Sequence, residues 1–99
     1  MAEKKQVIFR KKAKQSIEEV SLYVEQNGYP ETAEQYAQRM IDFGYSLTIF
    51  PNKYPICRFE KFAKRTLHCA AFDKTYIFVY KTVRNQLVIY NIIHGKRLK

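Results

Sequence analysis

The sequence predicts an α+β domain with the element order β-α-α-β-β-β, in which an N-terminal strand and a helical hairpin pack on an antiparallel sheet. Apolar residues alternate with polar ones near the N-terminus, recur every three or four positions over residues 13–50, and alternate again from residue 66 onward. A chain of 99 residues can bury one hydrophobic core, so we expect a single domain over residues 1–99.

The N-terminal part predicts one strand followed by one helix. In KQVIFRK, Val7 and Phe9 share a face, as in a half-buried strand. A helical stripe follows, made of Ala13, Ile17, Val20 and Val24. Asn27 and Gly28 are typical of a helix C-terminus, so the first helix should end there.

A second helix is predicted between Pro30 and Pro51. Proline is tolerated in a first helical turn, and Glu31 and Glu34 suit the positive end of the helix dipole. The apolar stripe consists of Ala33, Ala37, Met40, Gly44 and Leu47, widened by Tyr36, Phe43 and Phe50. The small residues at positions 33, 37 and 44 allow close approach of another helix, and the short connection NGYP predicts an antiparallel helical hairpin.

The C-terminal half predicts a loop and a three-stranded meander. The loop PNKYPICRFEKFAKR precedes the strands TLHCAAF, TYIFVYKTV and QLVIYNII, which the short turns DK and RN separate. Both faces of these strands are fairly apolar, so each face should be at least partly covered. Cys57 and Cys69 lack the paired spacing of zinc sites and fit no disulfide framework, so we interpret them as ordinary small apolar residues.

The charge of the chain is +9 and is unevenly distributed. Residues 1–14 hold six cations and one anion, residues 15–57 two cations and six anions, and residues 58–99 ten cations and two anions. Such a dipolar surface favours phosphate backbones or an acidic protein as partner. A basic protein that is merely soluble is the simpler alternative.

Several classes of function lack support in the sequence. No apolar run approaches the roughly 18 residues that a membrane span needs. The charged N-terminus shows no signal-peptide pattern, so we expect a cytoplasmic protein without a membrane partner. Glycine-rich phosphate loops, zinc-ligand spacings and nucleophile elbows are missing, so we expect neither a cofactor nor a metal.

Two clusters of cations flank the predicted meander. Arg58, Lys61, Lys64 and Arg65 lead into its first strand, and His94, Lys96 and Arg97 follow its last. These clusters lie at opposite ends of the meander unless the loop wraps back. If they meet, the cations could stabilise a pentacovalent phosphorane while His94 or His68 transfers protons, as in metal-free RNA cleavage.

Each of these groups also has a structural interpretation. The cations could form a solvated rim, and His94 could hold the end of the strand by a hydrogen bond. The neighbouring aromatic residues Phe59, Phe62 and Tyr90 could stack on bases or belong to the core.

The motifs resemble those of the RelE/ParE superfamily of bacterial type II toxins. The resemblance runs from about Val7 to Arg97 and includes FPNKYP after the second helix and the ending YIFVYKTVRNQLVIYNIIHGKR. Its most specific parts are the Tyr-x-Φ-x-Tyr strand (Φ apolar) at Tyr76–Tyr80, the strand Leu87–Ile93, and His-Gly-Lys-Arg at 94–97. The resemblance implies the RelE/ParE fold and a cognate antitoxin, expected to be acidic and to fold on binding.

Two branches of this superfamily differ in their target. RelE-like members are ribosome-dependent mRNA endonucleases. Their functional arginine matches Arg97, and their basic residues match Lys61, Lys64 and Arg65 loosely. RelE-like members also carry a functional tyrosine or histidine in a C-terminal extension, and the residues from Arg97 to Lys99 include no counterpart of it. ParE-like members poison DNA gyrase and commonly end in a His-x-x-Arg pattern, which resembles His94 to Arg97.

The resemblance therefore favours a ParE-like toxin of a plasmid-stabilisation module that inhibits gyrase by binding. The alternatives are a RelE-like, metal-independent mRNA endonuclease, with Arg97, His94 and Arg65 as catalytic residues, and an inactive toxin-like binding domain. In the binding interpretations, Arg58, Lys61, Lys64, Lys96 and Arg97 contact the nucleic acid or the target. Whether the protein is an enzyme stays open at this point.

Overall fold

The computed structural model describes residues 6–28, 32–49, 51 and 53–95, and it confirms the α+β class. The elements are β1 (Gln6–Phe9), α1 (Lys11–Asn27), α2 (Ala33–Ser46), α3 (Glu60–Ala63), β2 (His68–Phe72), β3 (Tyr76–Val83) and β4 (Gln86–His94). None of the helices in these ranges is long and apolar enough to cross a membrane.

The four strands form one mixed sheet in the order β1-β4-β3-β2. β2, β3 and β4 form the predicted antiparallel meander, with Phe72 opposite Tyr76 and Val83 opposite Gln86. β1 was expected to pack on an antiparallel sheet. Instead it joins the sheet at its edge and runs parallel to β4, with Val7 opposite Leu87. A parallel neighbour requires a long crossover, which α1, α2 and the meander supply.

The helical hairpin covers one face of the sheet. The predicted stripe of α1 faces inward, because Ala13, Val20 and Val24 are buried. Gly28 ends the helix in the left-handed conformation that glycine adopts easily, as predicted. Beneath the hairpin lie the largest core side chains of the sheet, among them Phe78, Tyr80, Leu87 and Ile89.

α2 differs from the prediction at both ends. It begins at Ala33 behind Thr32, whose hydroxyl accepts from the backbone of Gln35 while the Gln35 side chain accepts from the Thr32 backbone. This capping box places the start after Pro30 and Glu31, which lie outside the described residues, as does Phe50. The helix ends at Ser46, before Pro51, and hydrogen-bonded turns follow.

Gly44 serves a different contact from the one predicted. A Cβ atom there would lie 2.7 Å from Phe9 and 2.8 Å from Ile89, both of which belong to the sheet. The small residue at this position therefore admits strand side chains rather than another helix. This contact brings α2 close to β1 and β4.

The other face of the sheet is covered by the loop that precedes β2. This loop contains the one-turn helix α3, which the sequence pattern did not predict. Phe62 and Leu67 pack there with Val79 of the sheet, so both faces are covered as expected. Thr66 was assigned to the strand but lies in a turn with φ 54°, and β2 begins two residues later.

Cys57 and Cys69 form a disulfide bond, so their interpretation as unpaired apolar residues was wrong. Residues 55–57 run beside the start of β2: the Cys57 N–H donates to the Leu67 carbonyl, the Cys69 N–H donates to the Pro55 carbonyl, and Ile56 bridges His68. This pairing brings two cysteines twelve positions apart into contact, which no sequence spacing signals. The bond closes the loop that carries α3.

Candidate functional site

A β-bulge in β4 determines where Tyr90 points. Ile89 pairs with Tyr80 and Asn91 pairs with Val79, so Tyr90 is an extra residue without a partner across the strands. The Asn91 side chain accepts a hydrogen bond from the Ile92 N–H at 2.9 Å, which satisfies a donor next to the bulge. Tyr90 consequently packs against the cluster beneath α3, on the face opposite the helical hairpin.

Two arginines from distant parts of the chain lie against the Tyr90 ring. The guanidinium carbon of Arg10 is 5.5 Å from the ring centroid and that of Arg65 is 5.0 Å from it. Both distances are within the range of cation–π attraction. Around them is a surface pocket of about 300 Å³, lined by Arg10, Lys11, Lys12, Phe62, Arg65, Leu67, Val79, Tyr90 and Asn91. We call this the Tyr90 pocket.

Backbone contacts hold both arginines in place. Arg10 follows β1, and its N–H donates to the Ile89 carbonyl at 2.9 Å, which continues the pairing of β1 with β4. The Arg65 N–H donates to the Phe62 carbonyl, and the Arg65 carbonyl accepts from Lys81 Nζ at 3.2 Å. The two guanidiniums thus extend from segments fixed on the sheet.

The other cations of the loop are distributed over the surface around α3. Arg58 is exposed, and the Lys61 ammonium lies 4.9 Å from the centroid of the Phe62 ring. Lys64 forms an exposed ion pair with Glu60 at 3.4 Å, a type of contact that contributes little to stability. Of the four predicted loop cations, Arg65 is the one that lines the Tyr90 pocket.

His94 lies at the far end of β4, opposite Tyr76. The two rings meet edge to face with centroids 5.3 Å apart. The other proposed residues of this cluster, Lys96 and Arg97, lie outside the described residues.

The Tyr36 hydroxyl donates to Asp73 at the end of the sheet that carries His94. Burial raises the pKa of Tyr36 well above its ordinary value, and the hydrogen bond to Asp73 raises it further. The Arg39 guanidinium lies over the rings of Tyr36 and Phe72 and within 3.9 Å of the Asp73 carboxylate. These contacts tie α2 to the turn between β2 and β3.

His68 is engaged at the opposite end of the meander. Its Nδ1 lies 2.7 Å from the Tyr54 carbonyl, which can only accept, so this nitrogen carries the proton and donates. Its ring stacks on Tyr80 with centroids 5.3 Å apart. The Tyr80 hydroxyl donates to the Pro51 carbonyl at 2.7 Å. Burial, followed by the neighbouring Tyr54, raises the pKa of Tyr80 to about 12.

The described contacts do not bring Arg65 and His94 together. Arg65 lies against Tyr90, and His94 is four positions farther along the strand, a separation of roughly 13 Å. The Arg65 carbonyl is bonded to Lys81, which pairs with Val88 and therefore lies still farther from His94 along the sheet. Arg65 instead joins Arg10, a residue that the sequence analysis did not select.

The sequence does not signal this site. Leu87, Ile89 and Ile92 lie under the helical hairpin at spacings of two and then three residues, but Val88 is buried as well and the run 87–93 is apolar except for Asn91, so the break in alternation is visible only in the structure. The position of Arg10 could not be inferred either, because it depends on the parallel pairing of β1 with β4. Within the described ranges, no three His, Cys, Asp or Glu side chains gather closely enough to hold a metal ion.

Comparison with known protein families gives a match over most of the chain. The family model described as the ParE toxin of the type II toxin–antitoxin system, parDE, matches residues 7–99. No curated protein matches the chain. The matched region begins within β1 and extends through every later element of the fold.

Proposed function

Because the chain belongs to the ParE toxin family of type II toxin–antitoxin systems, we propose that it inhibits DNA gyrase by binding and that its cognate antitoxin neutralises it in the cytoplasm. The observation that carries this proposal is the family match over residues 7–99, which includes the His-Gly-Lys-Arg segment at 94–97. Membership in the family implies a cognate antitoxin as partner.

The arrangement of the candidate site agrees better with binding than with acid–base chemistry. The Tyr90 pocket gathers cations from two segments, but the rings of both histidines pack elsewhere, His68 on Tyr80 and His94 on Tyr76. A general acid or base must come within hydrogen-bond reach of the reacting group. The pocket instead offers fixed positive charge, which suits an anionic surface.

The surface also suits an antitoxin segment that folds on binding. Exposed apolar side chains lie at both ends of the helical hairpin: Leu22 and Tyr23 on α1, and Tyr45 and Ile49 at the end of α2. Covering these side chains with a partner segment would be favourable, because it removes apolar surface from water. An acidic amphipathic segment could cover these residues and also approach the basic surface of the sheet.

A supercoiling assay with purified proteins tests the proposed target. The toxin should inhibit supercoiling by gyrase or trap cleaved DNA, and adding the protein encoded beside it should restore activity. Normal supercoiling in a molar excess of folded toxin would contradict gyrase as the target.

Induction of the toxin alone in a bacterial host separates the remaining alternatives. We expect DNA replication to stop before translation. An mRNA endonuclease would stop translation first and create new mRNA 3′ ends in ribosomes, and these ends would disappear with Arg97→Ala. Unimpaired growth would indicate an inactive toxin-like binding domain.

A further inference from the structure

The Tyr90 pocket collects positive charge from segments that are distant in sequence. Arg10, Lys11 and Lys12 come from the junction of β1 and α1, and Arg65 comes from the turn after α3. The lining residues, all within the described part of the chain, include no carboxylate. We propose that this pocket binds the phosphodiester backbone of duplex DNA, independently of any contact with gyrase.

The charges of the pocket are unfavourable for the folded protein by itself. Four exposed cations line one small pocket, and lysines occupy the first turn of α1, where the helix dipole favours acidic residues. The acidic residue of the loop, Glu60, is paired with Lys64. A concentration of like charge that the protein does not neutralise creates a positive potential that attracts anions.

The pocket is also held in place before any ligand binds. The Arg10 backbone is bonded to β4, and the Arg65 backbone is bonded to Phe62 and to the Lys81 ammonium. Both guanidiniums rest against the same ring. Because this order exists before binding, an anion need not immobilise two flexible arginines, which reduces the entropic cost of association.

The Tyr90 ring distinguishes binding of a duplex from binding of a single strand. Proteins that bind single-stranded nucleic acid stack bases on aromatic rings. Here two guanidiniums lie against the ring, and Tyr90 also packs on the cluster beneath α3, so the ring does not offer an open surface for a base. The charged donors of the pocket are guanidinium and ammonium groups, which can bind phosphates without reading sequence.

The test measures binding to a labelled DNA duplex by fluorescence anisotropy over a series of salt concentrations, without gyrase. The double variant Arg10→Gln with Arg65→Gln should weaken binding about tenfold. It should also reduce the magnitude of the slope of log K against log salt by about one to two, since each lost phosphate contact contributes roughly 0.9 to that slope. Circular dichroism establishes that the variant is folded.

The matched control removes the same charge elsewhere. Lys74→Gln with Arg84→Gln changes two exposed cations in the hairpin turns, outside the pocket, and should leave the salt slope nearly unchanged. Equal losses of affinity for the two double variants would overturn the proposal, because binding would then depend on net charge alone. Failure of the unmodified protein to bind the duplex would also overturn it.

A further arm compares duplex DNA with other nucleic acids. Single-stranded DNA and RNA of the same length should bind more weakly, and tighter binding of either one would overturn the assignment to duplex DNA. Gyrase inhibition without DNA binding would reject this inference alone, whereas DNA binding without gyrase inhibition would reject only the proposed function.

Discussion

Tyr80 is fully buried, yet its hydroxyl retains a hydrogen-bond partner. The phenol donates to the Pro51 carbonyl, beyond the end of α2, while His68 stacks on the ring. A buried hydroxyl without a partner would be destabilising. This single side chain therefore links β3, the start of β2 and the segment that follows α2.

The ionisation of Tyr80 predicts a loss of stability at alkaline pH. Its folded-state pKa of about 12 exceeds the ordinary value of 10.0, so the folded state favours the neutral phenol. The associated stability is present below pH 10 and is lost as the pH rises toward 12, at about 1.4 kcal/mol per pH unit. The pKa of Tyr36 is raised as well, so its ionisation also lowers the unfolding free energy at alkaline pH. Urea denaturation at a series of alkaline pH values measures the effect.

Tyr80→Phe removes one of these two groups, so the fall of unfolding free energy with pH should be roughly half as steep. Near neutral pH the variant should lose about 1 kcal/mol, because the Pro51 carbonyl loses its donor. Tyr45→Phe, which removes a hydroxyl from a side chain that is 53% exposed, is the matched control. If the unfolding free energy fell equally steeply with pH in Tyr80→Phe and in the unmodified protein, the raised pKa of Tyr80 would not be the cause of the alkaline loss of stability.

At the scale of elements, the spacing of apolar residues predicted the helices and strands that local interactions stabilise. The stripe Ala13, Val20 and Val24 identified the buried face of α1, and strand alternation identified the meander. The parallel pairing of β1 with β4 and the one-turn helix α3 could not be predicted in this way, because tertiary contacts stabilise both. Short helices have little stability of their own, so α3 depends on the packing of Phe62.

The same distinction applies to the candidate site. The sequence placed Arg65 among the functional cations, and it left Tyr90 open as a stacking or a core residue. The sequence pattern could not show that Arg10 lies beside Arg65 and Tyr90, since β1 and β4 are separated by most of the chain. Residues that converge from distant segments are visible only once the topology is known.

The disulfide bond predicts how strongly the loop around α3 is stabilised. A cross-link over a loop of this length removes entropy from the unfolded chain, typically about 3 kcal/mol. Reduction of the unmodified protein should therefore lower its unfolding free energy by about that amount. Urea denaturation with and without reductant measures the difference.

Cys57→Ala with Cys69→Ala is the control, because its stability should not respond to reductant. Disulfides are rare in reducing compartments, so the state of the bond in the cell needs its own measurement. In a reducing cytoplasm the bond should be open, so cells lysed in an alkylating agent should yield protein alkylated at both cysteines, whereas the purified, air-oxidised protein should resist alkylation. Alkylation of both thiols in the purified, oxidised protein without prior reduction would contradict the bond.

Across the whole molecule, two basic segments that are distant in the sequence meet on one side of the sheet. The β1–α1 junction and the loop before β2 both contribute to the Tyr90 pocket. The acidic residues of the central segment lie mostly on the outer surfaces of the helical hairpin, where Glu18, Glu19, Glu34 and Asp42 are exposed. Folding thus converts a charge pattern along the chain into a dipolar surface.

This dipolar surface predicts that electrostatic attraction accelerates association with an acidic antitoxin. The molecule measures 40 × 36 × 22 Å. The Debye length falls from about 10 Å at 0.1 M salt to about 3 Å at 1 M, so high salt screens attraction across most of the surface. Stopped-flow measurements should show the association rate falling about tenfold or more over this range.

The same two double variants distinguish long-range attraction from the local contacts of the Tyr90 pocket. Arg10→Gln with Arg65→Gln and Lys74→Gln with Arg84→Gln lower the net charge equally, so both should slow antitoxin association to a similar extent. In DNA binding at equilibrium, by contrast, only the pocket variant should change the salt slope. An association rate that does not depend on salt would show that the net charge of +9 does not guide the antitoxin to this surface.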